Sequence, residues 1–389
     1  MSDWVEAPLN EVAQITMGQS PPGTTYNTEK IGVPFMQGSG EFGEHTPNPV
    51  LWCSAPKRVA DPGELLLSVR APVGETNLAD QRLAIGRGLA IVRAKDGVLT
   101  GFLRLAIQHS LDEMLSRSGT GMFSSITSKE LKSFPITMPA LAEQSRIVGL
   151  FSAIDKQSDA LSGEIDHALT AYRHASCLLW KTPEGTVAAE RHLSDVMVLD
   201  VERVVLKPDE TYSSAGVLGA GKGMIDKGSF RGRDTEYQAM NRLRQNQVVM
   251  RKLTAWEGPI TVVPETFDGY VASNEFPTFS LSEDVFPGWM RHVCRTRRLW
   301  EEMKNRVTGS VQRRKRLNPE QLLSVALPIP PRDAQERGAA ALDSLDAEIA
   351  ALHKEVAQLR SCRAALLSAV LTQEIKIPES YDAFREAVS

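Results

Sequence analysis

The sequence predicts an α+β chain: two mixed α/β globular domains separated by two long antiparallel coiled-coil helices, with pseudo-twofold symmetry. Three observations carry this prediction: a duplication at constant offset, an apolar heptad seam in each copy, and a globular stretch rich in Gly, Pro and β-formers ahead of each seam. Leu131-Lys-Ser-Phe-Pro-Ile-Thr-Met-Pro139 is followed by Gln144 and Arg146. Leu322-Leu-Ser-Val-Ala-Leu-Pro-Ile-Pro330 is followed by Gln335 and Arg337, each 191 positions on from its counterpart.

The seams justify the helices. Ile147, Phe151, Ile154, Ser158, Leu161, Ile165, Ala168, Tyr172, Ala175 and Leu179 alternate spacings of four and three, the a/d pattern of a coiled coil. Leu342, Leu345, Ile349, Leu352, Val356, Leu359, Leu366 and Val370 occupy the same seam in the second copy. Two positions break the match, Gly338 opposite Ile147 and Arg363 opposite Tyr172. A helix of about 40 residues is roughly 60 Å long, too long to be the buried helix of a small domain. If the second returns along the first, both apolar stripes are covered, so antiparallel order is expected. The expected boundaries are a first globular domain at 1–140, a helix at 141–181, a second globular domain at 182–331, a helix at 332–375 and a tail at 376–389.

Within the globular parts, strands are expected at Val33-Pro-Phe-Met36, Leu65-Leu-Leu-Ser-Val69 and Leu89-Ala-Ile-Val-Arg93, with turns marked by Gly74, Gly86 and Gly88. Gln247-Val-Val-Met250, Ile260-Thr-Val-Val263 and Thr278-Phe-Ser-Leu281 take the corresponding places in the second half. Each duplicated proline segment reads as a further short strand. The globular parts have diverged while the helices kept register, which suits two sites that bind different things but are held alike.

Composition is that of a soluble globular chain, 42% hydrophobic and 24% charged. No apolar run approaches the ~18 residues of a membrane span, and Met1-Ser-Asp-Trp4 is not a signal peptide, so a cytoplasmic location is expected. Cys53, Cys177, Cys294 and Cys362 are scattered and read as free thiols, and no metal site is expected. The net charge of −4 hides a local asymmetry, since Arg291 to Arg316 holds ten Lys/Arg against Glu301 and Glu302. Such a stretch reads as the footprint of a polyanion, with a solvated helix face as the other reading.

Gly216-Val-Leu-Gly-Ala-Gly-Lys-Gly223 nearly fits a phosphate-binding loop, but Gly223 stands where a magnesium-liganding Ser or Thr belongs and no clear helix follows. A turn that brings Lys222 to a phosphate is the better reading. No catalytic constellation is visible, so any chemistry is expected on a partner. Two rivals follow from the residues: a protein-only coiled-coil scaffold or adaptor, discriminated against by the basic stretch and polar loops, and an enzyme built on the Gly216 to Gly223 loop. Trp256 reads as core rather than as a stacking platform.

The order of globular region, long helix, diverged globular region and long helix resembles the specificity subunit of type I restriction-modification enzymes over essentially the whole chain. The phrases that carry the resemblance are Ser118-Gly-Thr-Gly121 running into Leu131 to Pro139 with Ala142-Glu143-Gln144-Ser-Arg146-Ile147, then Gly63-Glu-Leu-Leu-Leu-Ser-Val-Arg-Ala-Pro-Val-Gly74, and Thr254-Ala-Trp-Glu-Gly258 with Ser273-Asn-Glu-Phe-Pro277. The resemblance implies two target recognition domains, each reading half of a bipartite asymmetric DNA site. It implies helices that fix the unread gap and dock two methyltransferase subunits, and restriction subunits that join that core. It implies a non-catalytic chain that binds no cofactor, with S-adenosylmethionine, ATP and magnesium on the partners. The second copy departs from the pattern at Asp333, Ala334, Glu336 and Gly338, so unequal docking is expected there and at Arg363.

Arg and Gln suit guanine and adenine edges, whereas Lys, Ser and Gly amides suit phosphates. The candidate DNA contacts are Gln19, Ser20, Gln37, Ser68, Arg70, Arg87, Ser118, Thr120 and Ser124 in the first half. In the second they are Lys222, Arg231, Arg251, Lys252, Thr254, Asn274, Ser310, Gln312, Arg313, Arg314 and Lys315. The candidate docking and spacer positions are Gln144, Arg146, Ile154, Leu161, Ile165, Gln335, Arg337, Leu345, Leu352 and Val356.

Overall fold

The computed structural model describes residues 4–117, 125–308 and 315–383, with the backbone alone for 112–117. The chain divides into two compact units, Met1–Leu161 with Glu355–Ser389, and Ser162–Lys354. Whole helices were expected to stand apart from the globular domains. Instead each long helix gives one end to each unit, because its two ends bury their seams in different cores. Ile147, Phe151, Leu367 and Val370 belong to the core of unit 1, and Leu179, Ala339 and Leu342 to that of unit 2. Burying such a side chain contributes about 1.5–3 kcal/mol, which ties each helix end firmly to its own unit.

Unit 1 holds a four-stranded antiparallel sheet in the order Ala13–Met17, Leu89–Ala94, Leu65–Ser68, Thr76–Leu78. Beside it lies a five-stranded sheet in the order Tyr26–Asn27, Leu51–Cys53, Val33–Met36, Leu83–Ile85, Val59–Ala60, in which Val33–Met36 and Leu83–Ile85 run parallel. The strands of the first sheet read as near-continuous apolar runs because helix Thr100–Arg117 and the long-helix ends share their core. Val5–Pro8 pairs with Pro135–Met138 just ahead of the first long helix. Trp4 fastens this ribbon, its indole N–H donating to Glu143 at 3.1 Å while its ring meets Phe102 edge-on.

Unit 2 repeats the plan. Its four-stranded sheet runs Met197–Leu199, Thr278–Leu281, Val248–Met250, Ile260–Val262, and its two-stranded ribbon pairs Glu190–His192 with Ala326–Pro328. The five-stranded sheet, Glu202–Val205, Ala239–Arg242, Val271–Ala272, Thr211–Val217, Met224–Arg231, is where the halves diverge most. Its last two strands form a long hairpin whose turn is the end of the Gly216 to Gly223 motif. A strand follows that turn, so the helix a phosphate loop needs is replaced by a hairpin.

The duplicated proline segments are not wholly strand. Leu131 and Leu322 sit in short helices, Ser128–Lys132 and Pro319–Leu323, and only Pro135–Met138 and Ala326–Pro328 are extended. Thr127 with Glu130, and Asn318 with Gln321, form reciprocal capping boxes at equivalent positions. That pattern was readable in the sequence as a helix start.

The first long helix is α over Leu141–Ala175 and tightens to 3-10 turns over Ser176–Trp180; the second spans Arg332–Leu371. In unit 1 the start of the first packs with the end of the second, where Asp155 receives both arms of Arg363, one at 3.0 Å. In unit 2 the end of the first meets the start of the second at Leu178 and Gly338. Both pairings are antiparallel, as the seams require. Among the described residues no helix is long and apolar enough to cross a membrane.

Candidate nucleic-acid interface

In unit 1 four of the sequence candidates converge on one edge. Ser20 follows strand Ala13–Met17, Gln37 follows Val33–Met36, and Arg87 lies in the turn between Leu83–Ile85 and Leu89–Ala94. The Ser20 hydroxyl accepts from Gln37 Nε2 at 2.7 Å and from the Arg87 backbone N–H at 3.3 Å. Gln19 is tied to the same turn through its own N–H to Ile85 O. Gln19, Gln37 and Arg87 are exposed.

Glycine permits this convergence. A Cβ on Gly18 would stand 2.1 Å from Gly86 O, and one on Gly88 would stand 2.5 Å from Gln37 O, so the segments approach only without side chains there. The next loop joins the same edge, with Val69 N–H donating to Gly88 O and Arg70 bridging to Ser125. Arg70 is exposed. Ser68, expected at the DNA, is only 1% exposed and donates its hydroxyl to Arg70 O and Pro72 O, both at 2.8 Å; it shapes the turn that presents Arg70. Ser118, Thr120 and Ser124 lie outside the described residues, as do Ser310, Gln312, Arg313 and Arg314 in unit 2.

In unit 2 the second set also gathers. Lys252 N–H donates to Glu275 O, next to the exposed Asn274, and Lys252 O accepts from Leu317 N–H. Thr254 N–H donates to Lys315 O at 3.2 Å. Lys222 is exposed in a turn fastened to this loop by Ala220 N–H to Glu257 O, 2.7 Å. Arg231 is exposed at the far end of the hairpin, paired with Thr211 beyond the gathered loops.

Two of these loops are strained. Thr254 has φ +56° and Ala220 φ +54°, left-handed conformations that L side chains rarely adopt. Each costs about 1–3 kcal/mol and persists where surrounding contacts impose it, most often at functional sites. Around Thr254 those contacts are visible. Arg251 donates to Thr254 Oγ1 at 2.7 Å, to Glu257 at 2.9 Å and to Leu253 O at 3.1 Å, and the Thr254 hydroxyl donates to Glu257 at 3.1 Å. The expectation that Arg251 and Thr254 meet DNA is therefore revised: they clamp one loop together, and Glu257, which sequence reading passed over, is the third member. Its signal was the Thr-x-x-Glu spacing from Thr254 to Glu257.

The basic stretch also needs correcting as a whole. Arg291 pairs with Asp343, Arg295 with Asp346, Arg298 with Glu190, Arg306 with Glu302 and Arg316 with Glu275. Five of its ten cations are thus matched by carboxylates, four of them from distant segments that a charge count within the stretch could not register. Among the described residues, the cations of this stretch outside those pairs are Arg297 and Lys304, both exposed, and Lys315, half-buried.

Several docking candidates turn inward. Gln144 and Gln335 are each 1% exposed. Gln144 accepts from Leu99 N–H at 2.9 Å and donates to Pro139 O at 3.0 Å and Gly97 O at 3.2 Å. Gln335 repeats the device, accepting from Phe286 N–H and donating to Pro330 O and Asp284 O. Each carboxamide fastens the start of a long helix to the residues just ahead of an earlier helix of its unit, Thr100–Arg117 or Pro287–Val293, so these glutamines are internal staples and not docking surface. Leu161, Ile165 and Val356 are buried, and Ile154, Leu345 and Leu352 half-buried, in keeping with a seam. Arg146 is 12% exposed and pairs with Asp382, while Arg337 is 60% exposed and pairs with Asp333 one turn away. Gly338 borders a groove of about 310 Å³ lined by Leu178, Lys181, Thr182, Ala334 and Arg337.

A last cluster lies at the helix junction of unit 2. His292 is buried, its Nδ1 2.8 Å from the Tyr172 hydroxyl and its Nε2 2.7 Å from Asp343. Burial pushes the Tyr172 pKa up to about 12, so the phenol donates to Nδ1 and the imidazole donates from Nε2 to the carboxylate. Burial also holds His292 below its ordinary value. His292, Asp343 and Asp346 lie close enough to share a cation, but Arg291 and Arg295 already occupy the two carboxylates.

The class these features define is a two-unit α+β fold in which each unit presents a cluster of polar loops beside its own end of a helix pair. Residues 1–171 match the profile of the type I restriction modification DNA specificity domain. The chain therefore carries that domain in its first part, and the resemblance read from the sequence is borne out there. The MjaX type I restriction enzyme specificity subunit of Methanocaldococcus jannaschii is 43% identical over 156 residues, 39% of this chain. The aligned stretch spans only 37% of that relative. The HsdS subunit from Thermoanaerobacter tengcongensis is 45% identical over 40% of this chain and 38% of its own, with a TM-score of 0.36. The S subunit of a type I restriction-modification system from M. genitalium covers 94% of this chain and 96% of its own at a TM-score of 0.55. At 14% identity this last likeness shows the fold, and it extends through both halves.

Proposed function

We propose that the chain is the sequence-specific DNA recognition subunit of a type I restriction-modification complex, with each unit reading one half of a bipartite, asymmetric site. The observation that carries the reading is the pair of loop clusters, chemically different in the two units, each in a unit whose long-helix start is fastened by the same staple, Gln144 or Gln335. Phosphate contacts supply affinity and register, base contacts supply sequence, and joining two modest readers makes the event bivalent. On this reading the long helices set the unread gap and dock two methyltransferase subunits. Those partners supply S-adenosylmethionine and the methyl transfer, and restriction subunits with ATP and magnesium join the same core. The chain itself is non-catalytic and cytoplasmic.

The test is duplex binding by the full chain, alone and with its modification subunits, across a salt series. Log affinity should fall linearly with log salt, by about 0.9 per neutralised phosphate. No duplex binding in either form would favour the protein-only scaffold, whereas binding unchanged between low and moderate salt would overturn the part given to phosphate contacts.

A further inference from the structure

The Ser20 cluster has a chemistry more specific than a polar surface. Gln37 Nε2 has two hydrogens, and one is spent on Ser20 Oγ at 2.7 Å. What remains unspent, on an exposed residue, is one N–H beside one carbonyl oxygen. That pair in one plane matches the major-groove edge of adenine, which offers an acceptor at N7 and a donor at N6. Ser20 is held in turn by the Arg87 backbone N–H, so a rigid turn rather than a mobile side chain sets where its oxygen lies. Gly86 completes the mount. A Cβ there would stand 2.9 Å from Gln37 Oε1 and 3.0 Å from Gln37 Cα, so only glycine leaves the carboxamide its place.

We infer that Gln37 reads one adenine of the unit 1 half-site by a bidentate contact, with Ser20 as the positioning residue that fixes its carboxamide. The inference rests on the DNA-recognition reading above and names a base within it. Gln37 differs from its exposed neighbours in being oriented before any ligand arrives, so the cost of ordering it on binding is already met. Ser20 donates nothing to Gln37 and accepts from it, which leaves the glutamine unable to present two donors outward.

The experiment selects duplexes from a randomised library with the full chain assembled with its modification subunits, for the wild type, Gln37→Glu, Gln37→Met, Ser20→Ala and Ser20→Thr. Wild type should retain a bipartite sequence with an adenine at one position of one half. Gln37→Glu, which can only accept, should move that position toward cytosine, while Gln37→Met should flatten it, with discrimination falling about ten- to hundredfold. Ser20→Ala should broaden the same position and Ser20→Thr, which keeps the hydroxyl, should restore it. The other half should be unaltered in every variant. An unchanged preference in both Gln37 variants, with a bipartite site still selected, overturns the inference and leaves the proposed function standing. A wild type that selects no sequence overturns both. If Gln37→Glu melts early, Gln37→Met, uncharged and of similar length, decides the matter.

Discussion

Unit 1 and unit 2 keep the same carboxylate and answer it differently. Asp155 and Asp346 are 191 positions apart on the two long helices, and each binds an arginine. In unit 1 the arginine is Arg363, from the other long helix, and its guanidinium also lies over the Phe151 ring. In unit 2 the position equivalent to Arg363 is Tyr172, and the arginine comes from the globular part: Arg295 reaches Asp346 and lies 4.7 Å from the Tyr172 ring centroid. The difference teaches that the duplicated helices preserved a demand for charge, while the source of that charge was free to move to whichever segment packs there. One break in the seam is therefore a relocated ion pair.

The second break gives the sharpest contrast. Ile147 is fully buried in the core of unit 1, whereas a Cβ at Gly338 would stand 3.4 Å from Leu178 O, at ordinary contact distance. Ile147→Ala should cost about 3–4 kcal/mol through lost burial and the cavity left behind. Gly338→Ala should instead be neutral or stabilising by up to about 1 kcal/mol through helix propensity. Denaturant melts of both variants check this, and equal signs would mean that the two helix starts are packed alike after all.

The glutamine staples predict likeness where the seam predicts difference. Removing either carboxamide leaves a buried N–H and two carbonyls without their partner, so Gln144→Ala and Gln335→Ala should each cost about 2–3 kcal/mol. Chemical denaturation should give values within about 1 kcal/mol of each other; a wider gap would show that the shared geometry hides unequal strain.

A smaller effect concerns acid. Because burial lowers the His292 pKa, the folded protein binds fewer protons than the unfolded chain between that lowered value and the ordinary one near 6.5. Stability of unit 2 therefore rises with pH through that window, is flat above it, and is lost as pH falls. The Asp155–Arg363 pair itself contains no histidine, His45 beside it pairing with Asp159, so amide exchange corrected for intrinsic rate should loosen around Asp343 below neutrality and leave the residues around Asp155 less affected. His292→Gln should remove the difference.

The smallest contrast is between Arg146 and Arg337. The exposed Arg337–Asp333 pair should be worth no more than about 0.5 kcal/mol, so Arg337→Ala should barely move a melt. Arg146→Ala, at a site 12% exposed, should cost about 1 kcal/mol and should be partly mimicked by Asp382→Ala. If Arg337→Ala proves the costlier, the C-terminal segment does not distinguish the units.

Legibility followed the range of the interaction. The heptad seams, Val33–Met36, Thr278–Leu281 and the run of globular parts were readable because period and punctuation are local properties of the chain. The capping boxes at Thr127 and Asn318 were equally local and went unread, since the prolines after them drew both segments toward strand. The unit 1 cluster of Gln19, Ser20, Gln37 and Arg87 was nameable residue by residue. That one serine oxygen joins Gln37 and Arg87 was not, because the segments that meet there are separated by as many as 67 positions.

By itself the sequence determined the duplication, the two long helices, their antiparallel order and the existence of polar loops that differ between halves. All of these rest on periodicity, on chain connectivity or on residue type. Only the tertiary structure decided which polar groups are spent internally. It turned Ser68, Gln144, Gln335 and Arg251 toward the protein, paired half of the basic stretch with carboxylates, and left Gln37, Arg70 and Arg87 exposed. The physical reason is that a buried polar group must find a partner, and whether one is within reach depends on distances between segments that no linear pattern encodes.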